Sequence, residues 1–231
     1  MKYRRHDLHG LLVVDKPVGI TSMDVVRRVR HKAGHAKTGH AGTLDPLASG
    51  VLICLLGKAT RAADALMAAS KVYHTTVDLA ALTNTDDAEG EIEPVDVDRP
   101  PALDTVAAAL RGLTGTIEQT PPAYSAIKVG GQRAYKLARR GQDVELKARP
   151  VQIHAIDLIR YDWPTLELVV TCGKGTYIRS LARQIGQALG TGGYLTALRR
   201  TAIGAYTLEQ AIELAAVPEP LQSHHLLPVA N

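Results

Sequence analysis

The sequence contains no phenylalanine, only two cysteines and no long apolar run, and each scarcity narrows what the chain can be. Cys54 and Cys172 stand far apart without a C-x-x-C pattern, which argues against a disulfide scaffold or a thiolate metal site. Val51–Gly57 is far shorter than the roughly 20 residues of a membrane span, and Leu11–Val14 is too short for the core of a signal peptide. We therefore expect a cytoplasmic protein with buried free thiols and no membrane partner.

Glycine-rich cofactor motifs are also missing. Neither G-x-G-x-x-G nor G-x-x-x-x-G-K-[ST] occurs, although Gly173–Thr176 has a glycine-flanked lysine before a predicted helix, as in a phosphate-binding turn. The composition, 45% hydrophobic and 22% charged over 231 residues, is that of an ordinary folded protein. We predict no nucleotide cofactor. A length of 231 residues allows one large domain or two small ones.

Charge is distributed in three blocks. Residues 1–61 have a net charge of +7, residues 62–120 of −8 and residues 121–231 of +5. The two basic blocks are either solvated surfaces or one face that attracts a polyanion. The acidic excess is concentrated in Asp86–Asp98, which lacks the spacing of a calcium loop and is predicted to be a solvated loop.

Hydrophobic periodicity and turn residues predict a mixed α/β (α+β) fold with a largely antiparallel central sheet flanked by helices and loops. The predicted strands are 10–14, 51–56, 72–81, 115–118, 151–160 and 166–171. The predicted helices are 22–31, capped by Thr21 or Ser22, and 59–69, 103–113, 134–140 and 176–189. No linker or internal repeat divides the chain, so we predict one domain.

Residues 34–50 form a glycine-rich segment that we predict to be irregular, and its single acid is Asp45. An aspartate before proline is usually a turn residue. The alternative is a carboxylate that acts as a nucleophile or general base among bases and glycines. His31, His35 and His40 lack the carboxylate and the H-E-x-x-H spacing of a zinc site, so no metal is predicted.

Three more side chains have two interpretations each. Arg179 lies early in a predicted helix, against the preference of the helix dipole, and is either a surface arginine or the partner of another group. Tyr177 stands near it, and Tyr73 lies in an aliphatic and polar strand. Tyrosine is either a core residue here or the ring that stacks on a base, because the chain has eight tyrosines and no phenylalanine.

Taken together, the motifs resemble the TruB family of tRNA pseudouridine synthases of bacteria. The central match is G-H-A-G-T-L-D-P-L-A-S-G at 39–50, which is similar to that family's aspartate loop. The other matches, in order, are G-L-L-V-V-D-K-P-V-G at 10–19 with Thr21 and Ser22, K-V-Y at 71–73, T-P-P-A-Y-S-A-I-K at 120–128, C-G-K-G-T-Y-I-R at 172–179 and L-R-R at 198–200. The resemblance extends from residue 10 to about residue 206.

The resemblance implies that Asp45 isomerises uridine 55 in the T-loop of tRNA to pseudouridine, without metal or cofactor, after the base is flipped out of the RNA. The aspartate acts as a nucleophile at the sugar or as a base at C2′. Arg179 pairs with it, and Tyr73 stacks on the flipped uracil with a later role in proton removal. The other implied site residues line or support the pocket: Lys16, His40, Asp87, Tyr177 and Leu198.

The resemblance also implies that the basic segment 121–149 closes on the RNA and contacts phosphates. Its proposed RNA contacts are Lys128, Arg133, Arg139 and Arg140. The predicted catalytic domain is 1–216, and 217–231 is a short tail in place of a PUA-type RNA-binding domain. We expect a monomer.

Two other functions remain open. One is a guide-RNA-dependent synthase of the dyskerin type, and the other is a non-catalytic protein that folds tRNA. A cysteine-dependent uridine methyltransferase is disfavoured, because no glycine motif for its cofactor is present.

Overall fold

The computed structural model describes residues 8–125, 128–129, 132–133 and 146–229. The chain divides into two compact units. Unit 1 consists of Met1–Tyr73 and Leu198–Asn231, and unit 2 of His74–Ala197. Among the described residues, no helix is long and apolar enough to cross a membrane.

The described elements are short helices and a larger number of strands. The α-helices are α1 (Ser22–Lys32), α2 (Ala63–Ala68), α3 (Leu103–Gly112) and α4 (Ile178–Leu189), and a 3₁₀-helix, Gly57–Ala62, precedes α2. The strands are β1 (Gly10–Lys16), β2 (Thr38–His40), β3 (Ser49–Leu56), β4 (Lys71–Asp78), β5 (Ala81–Thr83), β6 (Ile92–Pro94), β7 (Gly115–Gln119), β8 (Lys128–Val129), β9 (Gln132–Arg133), β10 (Arg149–Asp162), β11 (Thr165–Cys172), β12 (Tyr194–Ile203), β13 (Tyr206–Thr207) and β14 (Ile212–Glu213).

The sheet of unit 1 is buried on both faces. Its order is β14–β1–β3–β12–β4, with β2 beside β3 and β13 beside β12. Successive side chains of a strand point to opposite faces, so the continuous apolar runs of β1 and β3 supply two cores. Leu12 and Val14 pack in the core that includes α1, whereas Leu11 and Val13 pack in the core beside α2.

Helix α1 begins where the sequence predicts a cap. The Thr21 hydroxyl accepts a hydrogen bond from the Asp24 amide, and the Asp24 carboxylate accepts one from the Thr21 amide. This reciprocal pair satisfies amides that have no partner within the helix. Val25, Val26 and Val29 recur on one face of α1 and are buried, which fixes the helix on the sheet.

The strands of unit 2 pair in the order β4–β11–β10–β7, and one face of α4 is buried and apolar. Strand β11 alternates strictly between buried and half-buried positions, the pattern of a sheet with one covered face. Leu181, Ala182 and Ile185 recur on one face of α4 and are buried. Helix α4 ends at Gly190, which adopts a left-handed conformation at φ 69°.

The predicted fold class is confirmed: helices and a mostly antiparallel sheet are combined, with parallel pairing only between β1 and β14 and between β3 and β12 among the registers described. The element boundaries need corrections. Segment 34–50 is not wholly irregular, because Thr38–His40 pairs with β3 and β3 begins at Ser49. The predicted helix 59–69 is a 3₁₀-helix followed by the shorter α2.

The two cysteines are buried free thiols, as the sequence predicts. Burial raises the pKa of the Cys54 thiol to about 12, because the charged thiolate loses its hydration. Cys54 therefore stays a thiol at neutral pH and contributes as a small apolar side chain of the unit 1 core. The predicted helix 134–140 lies outside the described residues.

Candidate active site

Asp45 lies in unit 1 on the loop that joins β2 to β3, and its side chain is half-buried. The Asp45 carbonyl oxygen accepts a hydrogen bond from the Ala48 amide at 3.1 Å, which closes a tight turn around Pro46. The turn leads directly into β3, which begins at Ser49 and contains Gly50. A carboxylate on a short turn with its backbone fixed can act as a nucleophile or as a base.

Two buried side chains hold the loop on either side of Asp45. The Ser22 hydroxyl donates to the Leu44 carbonyl oxygen at 2.9 Å and accepts from the Leu44 amide at 2.8 Å. The Lys16 ammonium group, which is 0% exposed, donates to the carbonyl oxygens of Pro17 at 2.8 Å, Ile20 at 2.7 Å and Pro46 at 3.5 Å. The residues before and after Asp45 are thus anchored to the start of α1 and the end of β1.

Arg200 holds the two ends of the same loop. Its guanidinium group donates from Nε to the Val51 carbonyl oxygen at 2.8 Å, and from its terminal nitrogens to Gly42 at 3.2 Å and Thr43 at 3.4 Å. Gly50 adopts φ +100°, and a Cβ atom there would lie 2.1 Å from the Arg200 carbonyl oxygen. Only glycine fits that position, since both the backbone angle and the close approach exclude a side chain.

Three other predicted site residues also lie in unit 1. Tyr73 and Leu198 are each 9% exposed, on β4 and β12. His40 is on β2, and its buried Nδ1 atom has no hydrogen-bond partner. Burial lowers the pKa of His40 below its usual value, and the Arg200 charge lowers it further. A hydrogen bond to the Gly42 backbone opposes this shift. His40 is therefore a neutral imidazole at neutral pH.

Unit 2 contains a buried ion pair. The Arg179 guanidinium group lies 3.3 Å from the Asp87 carboxylate, and the two side chains are 5% and 4% exposed. Arg179 also donates to the carbonyl oxygens of Thr85 at 3.1 Å and Tyr124 at 3.0 Å. Of the two interpretations of Arg179, the surface residue is wrong, because α4 directs this side chain into the protein onto a carboxylate.

The prediction of a solvated acidic loop is wrong at its beginning. Asp86 and Asp87 are buried, and Asp86 pairs with Arg183, one turn after Arg179 on α4. Burial raises the pKa of Asp86, whereas the charges of Arg183 and Arg179 oppose that rise. The rest of the segment is mostly exposed, although Ile92–Pro94 pairs with β5. Asp86 and Asp87 are buried because two arginines on one face of α4 pair with them. The composition of the segment does not distinguish these two acids from its exposed ones.

Tyr177 precedes α4 and is half-buried. Its amide donates to the Gln119 side-chain oxygen at 2.7 Å, and the Arg149 guanidinium carbon lies 5.4 Å from the centre of its ring. Arg149 also donates to the Gly175 carbonyl oxygen at 2.8 Å, which fixes the glycine turn before the helix. The predicted helix start at Thr176 is therefore two residues early, since the chain before Ile178 is held in this turn.

The predicted RNA contacts of the basic segment are not described. Arg139 and Arg140 lie outside the described residues, and of Lys128 and Arg133 only the backbone pairing of β8 with β9 is described. Within the described part of the chain, no group of three or more histidine, cysteine, aspartate or glutamate side chains is placed to hold a metal ion.

Sequence reasoning gave Arg183 and Arg200 no role in the site, and it considered Ser22 only as a cap of α1. The signal for Arg200 was present, because Leu198 and Arg200 alternate on one face of a strand and an arginine on a buried face needs acceptors. Arg183 shares a helix face with Arg179 at the i, i+4 spacing. The hydroxyl of Ser22 gives no such signal, because its acceptor is twenty-two residues away in the sequence.

Two family descriptions match consecutive parts of the chain. Residues 30–178 match the family described as TruB family pseudouridylate synthase (N terminal domain). Residues 179–226 match the one described as tRNA pseudouridylate synthase B C-terminal domain. The boundary between the two matches falls between Ile178 and Arg179, at the beginning of α4.

Two similar proteins from bacteria have the same name. The tRNA pseudouridine synthase B of Thermobifida fusca is 54% identical over 217 residues, which are 89% of this chain and 73% of that protein. The tRNA pseudouridine synthase B of Rhodospirillum rubrum is 47% identical over 231 residues, which are 98% of this chain and 75% of that protein.

Solved structures with a similar fold include Cbf5 assemblies. A Cbf5–Nop10–Gar1 complex contains a chain that superposes with a TM-score of 0.71 at 32% identity, over 92% of this chain. A chain in the structure of an H/ACA RNP bound to a substrate RNA containing 2′-deoxyuridine superposes with a TM-score of 0.69 at 30% identity. This chain spans about half the length of these structural relatives, 54% and 53%.

Proposed function

Since the chain belongs to the TruB family of pseudouridine synthases, we infer that it isomerises uridine to pseudouridine in tRNA, and we propose that its target is uridine 55 of the T-loop. The observation that carries the proposal is the loop of Asp45. A single half-buried carboxylate lies there between residues that Ser22, Lys16 and Arg200 anchor by hydrogen bonds. Such a loop presents its acid in one geometry, which is what a reaction at one sugar carbon requires.

The chemistry matches the residues at hand. Isomerisation breaks the bond between the sugar and N1 of uracil and forms one to C5, so no electron is gained or lost. As a nucleophile, the Asp45 carboxylate displaces uracil from the sugar and is itself displaced when C5 attacks. As a base, it takes the C2′ proton so that uracil leaves, and it returns that proton to C2′ when C5 of uracil bonds to C1′. Either route ends when C5 loses its proton and N1 gains one, and both require an ionised Asp45.

The RNA supplies the target by base flipping, which costs about a few kcal/mol in stacking and pairing. In this proposal Tyr73 stacks on the extruded uracil and later assists removal of the C5 proton. Leu198 and Tyr177 line the pocket for the base. His40 occupies the space that the flipped nucleotide leaves, and its neutral imidazole suits a position among bases rather than phosphates.

Arg179 is the cation that the family resemblance pairs with Asp45, and this assignment stays a prediction. Its support lies within unit 2. Asp87 and the carbonyl oxygens of Thr85 and Tyr124 hold the guanidinium group at fixed positions, so it is preorganised before RNA binds. Asp87 thereby acts as a positioning residue for the arginine.

The remaining proposals concern the whole chain. Segment 121–149 contacts tRNA phosphates, with Lys128, Arg133, Arg139 and Arg140 as the predicted contacts. The catalytic domain is 1–216, and the chain acts as a cytoplasmic monomer. Light scattering of the purified chain, alone and with tRNA, measures the oligomeric state, and a dimer mass would contradict the proposal.

Replacement of Asp45 tests the catalytic assignment. We expect Asp45→Asn to abolish pseudouridine formation and leave tRNA affinity largely unchanged, because an uncharged isostere alters few backbone contacts. Mass spectrometry of the tRNA measures the product, and a filter-binding titration measures the affinity. Asp64→Asn is the matched control, since Asp64 is an exposed aspartate of the same unit. Normal product from Asp45→Asn would remove this residue from the reaction.

A second substrate tests the target position. A tRNA transcript with cytidine at position 55 should bind the chain and gain no pseudouridine, whereas the unaltered transcript gains one. The reaction is run with the purified chain and no other RNA. Pseudouridine at another position would contradict the T-loop proposal, and a requirement for a guide RNA would favour a dyskerin-type reaction.

A further inference from the structure

Arg200 is a buried charge whose donors are directed at one loop. The residue is 1% exposed, and its three described acceptors, the carbonyl oxygens of Gly42, Thr43 and Val51, lie at the two ends of the segment that contains Asp45. All of these residues belong to unit 1. The guanidinium group therefore joins the beginning of the loop to its end.

Packing alone does not account for an arginine at this position. A buried guanidinium group is unfavourable unless its N–H groups find acceptors, and an apolar side chain would fill a strand position equally well. Gly42 and Thr43 lie outside the described strands, so Arg200 supplies their carbonyl oxygens with N–H donors that a sheet does not provide. The planar group with its fixed donors sets the distance between the two chain segments, which a flexible lysine would not do.

The backbone of Arg200 reinforces this arrangement. Gly50 pairs with Arg200 across β3 and β12, and the absence of a side chain at Gly50 lets the two backbones approach. The loop is thus clamped at its end by both the backbone and the side chain of one residue. The Arg200 charge also reaches His40, whose pKa it helps to lower.

We propose that Arg200 is a positioning residue for catalysis, which holds the Gly42–Val51 segment so that the Asp45 carboxylate has one orientation. The proposal rests on the proposed function of Asp45. Ser22 and Lys16 fix the residues on either side of Asp45, and Arg200 fixes the ends of the segment. Loss of the Arg200 clamp should therefore lower the rate of the chemical step more than the affinity for tRNA.

The test compares Arg200→Lys with the wild type under single-turnover conditions, with the full chain in excess over tRNA. We expect the rate constant for pseudouridine formation to fall about 10²-fold, because small misplacements of a reacting group have effects of this size. The dissociation constant for tRNA and the final yield of product should stay within about threefold. Arg200→Met should be slower than the lysine variant. Arg199→Lys is the control, since Arg199 is 41% exposed and pairs with Asp15.

The fraction of folded, RNA-binding enzyme, which a titration with tRNA counts, separates positioning from stability. A purely structural arginine would lower the fraction of folded, RNA-binding enzyme and leave the rate constant of that fraction unchanged, and this result would overturn the proposal. Hydrogen exchange of the amides of residues 42–51 gives a readout that needs no activity. We expect faster exchange there in Arg200→Lys, with α1 amides unchanged, and equal exchange in both proteins would also overturn the proposal. If the wild type forms no pseudouridine, the proposed function fails while the exchange result still decides whether Arg200 holds the loop.

Discussion

At the scale of single residues, two of the ion pairs described in unit 2 lie in opposite environments. Asp87 and Arg179 are 4% and 5% exposed, whereas Asp162 and Arg160 are 70% and 62% exposed. Burial removes water from both charges of the first pair, so each depends on protein partners. Water solvates the second pair whether or not it forms.

This contrast predicts unequal effects of the same substitution. We expect Asp87→Ala to lower the free energy of unfolding by about 3 kcal/mol, because it takes a carboxylate away from a buried guanidinium group. Asp162→Ala should cost below about 1 kcal/mol. Urea denaturation of the three proteins measures both values. Similar losses for the two variants would mean that the buried pair contributes no more than the exposed one.

At the scale of elements, the beginning of β3 depends on a glycine. Gly50 and Gly19 both adopt positive φ angles, +100° and +87°. A Cβ atom at Gly50 would meet the backbone of Arg200, whereas one at Gly19 would have no atom within 4 Å. A side chain at Gly19 would therefore introduce backbone strain alone, whereas one at Gly50 would introduce strain and a steric clash.

We expect Gly19→Ala to lower the free energy of unfolding by about 1–2 kcal/mol, the cost of a left-handed conformation for alanine. Gly50→Ala should cost more, because β12 must also move away from β3 to admit the methyl group. Urea denaturation measures the difference between the two variants. Equal destabilisation would show that the close approach of Arg200 contributes nothing beyond the backbone angle.

The elements also show which features local sequence determines. The cap at Thr21 and the valines of α1 are local signals, and the predicted helix 22–31 agrees with Ser22–Lys32. β2 was missed because three residues with two polar side chains give no periodicity, and the partner strand that stabilises them is more than ten residues away. The 3₁₀-helix Gly57–Ala62 was predicted as α-helix, since the alanines of that segment suit either form.

The candidate site shows the same limit. Asp45 and the motif around Arg179 were found by resemblance to a family, and their positions in the sequence follow directly. Their buried partners are set by tertiary contacts: Asp87 lies ninety-two residues from Arg179, and Arg200 is 158 residues from the Gly42 carbonyl oxygen that it binds. No local pattern in Asp86–Asp98 distinguishes the two buried acids from the exposed ones, because only α4 provides the arginines that select them.

At the scale of the whole molecule, the net charge of +4 conceals large segments of one sign. Residues 1–61 have a net charge of +7, and α1 contributes Arg27, Arg28 and Arg30, all exposed. The acidic block 62–120 includes two carboxylates, Asp86 and Asp87, that two arginines of α4 neutralise. A polyanion such as tRNA therefore meets a chain whose exposed cations are concentrated in particular segments.

This distribution predicts a salt dependence that differs between two exposed arginines. If α1 contacts tRNA phosphates, Arg28→Ala should weaken binding and reduce the slope of log affinity against log salt concentration by about 1. Arg111→Ala is the matched control, because Arg111 is an exposed arginine of α3 within the acidic block and should leave the slope unchanged. Filter binding of tRNA at increasing potassium chloride measures both slopes. A slope that Arg28→Ala leaves unchanged would place α1 away from the RNA, and a wild-type affinity independent of salt would exclude phosphate contacts as the main source of binding.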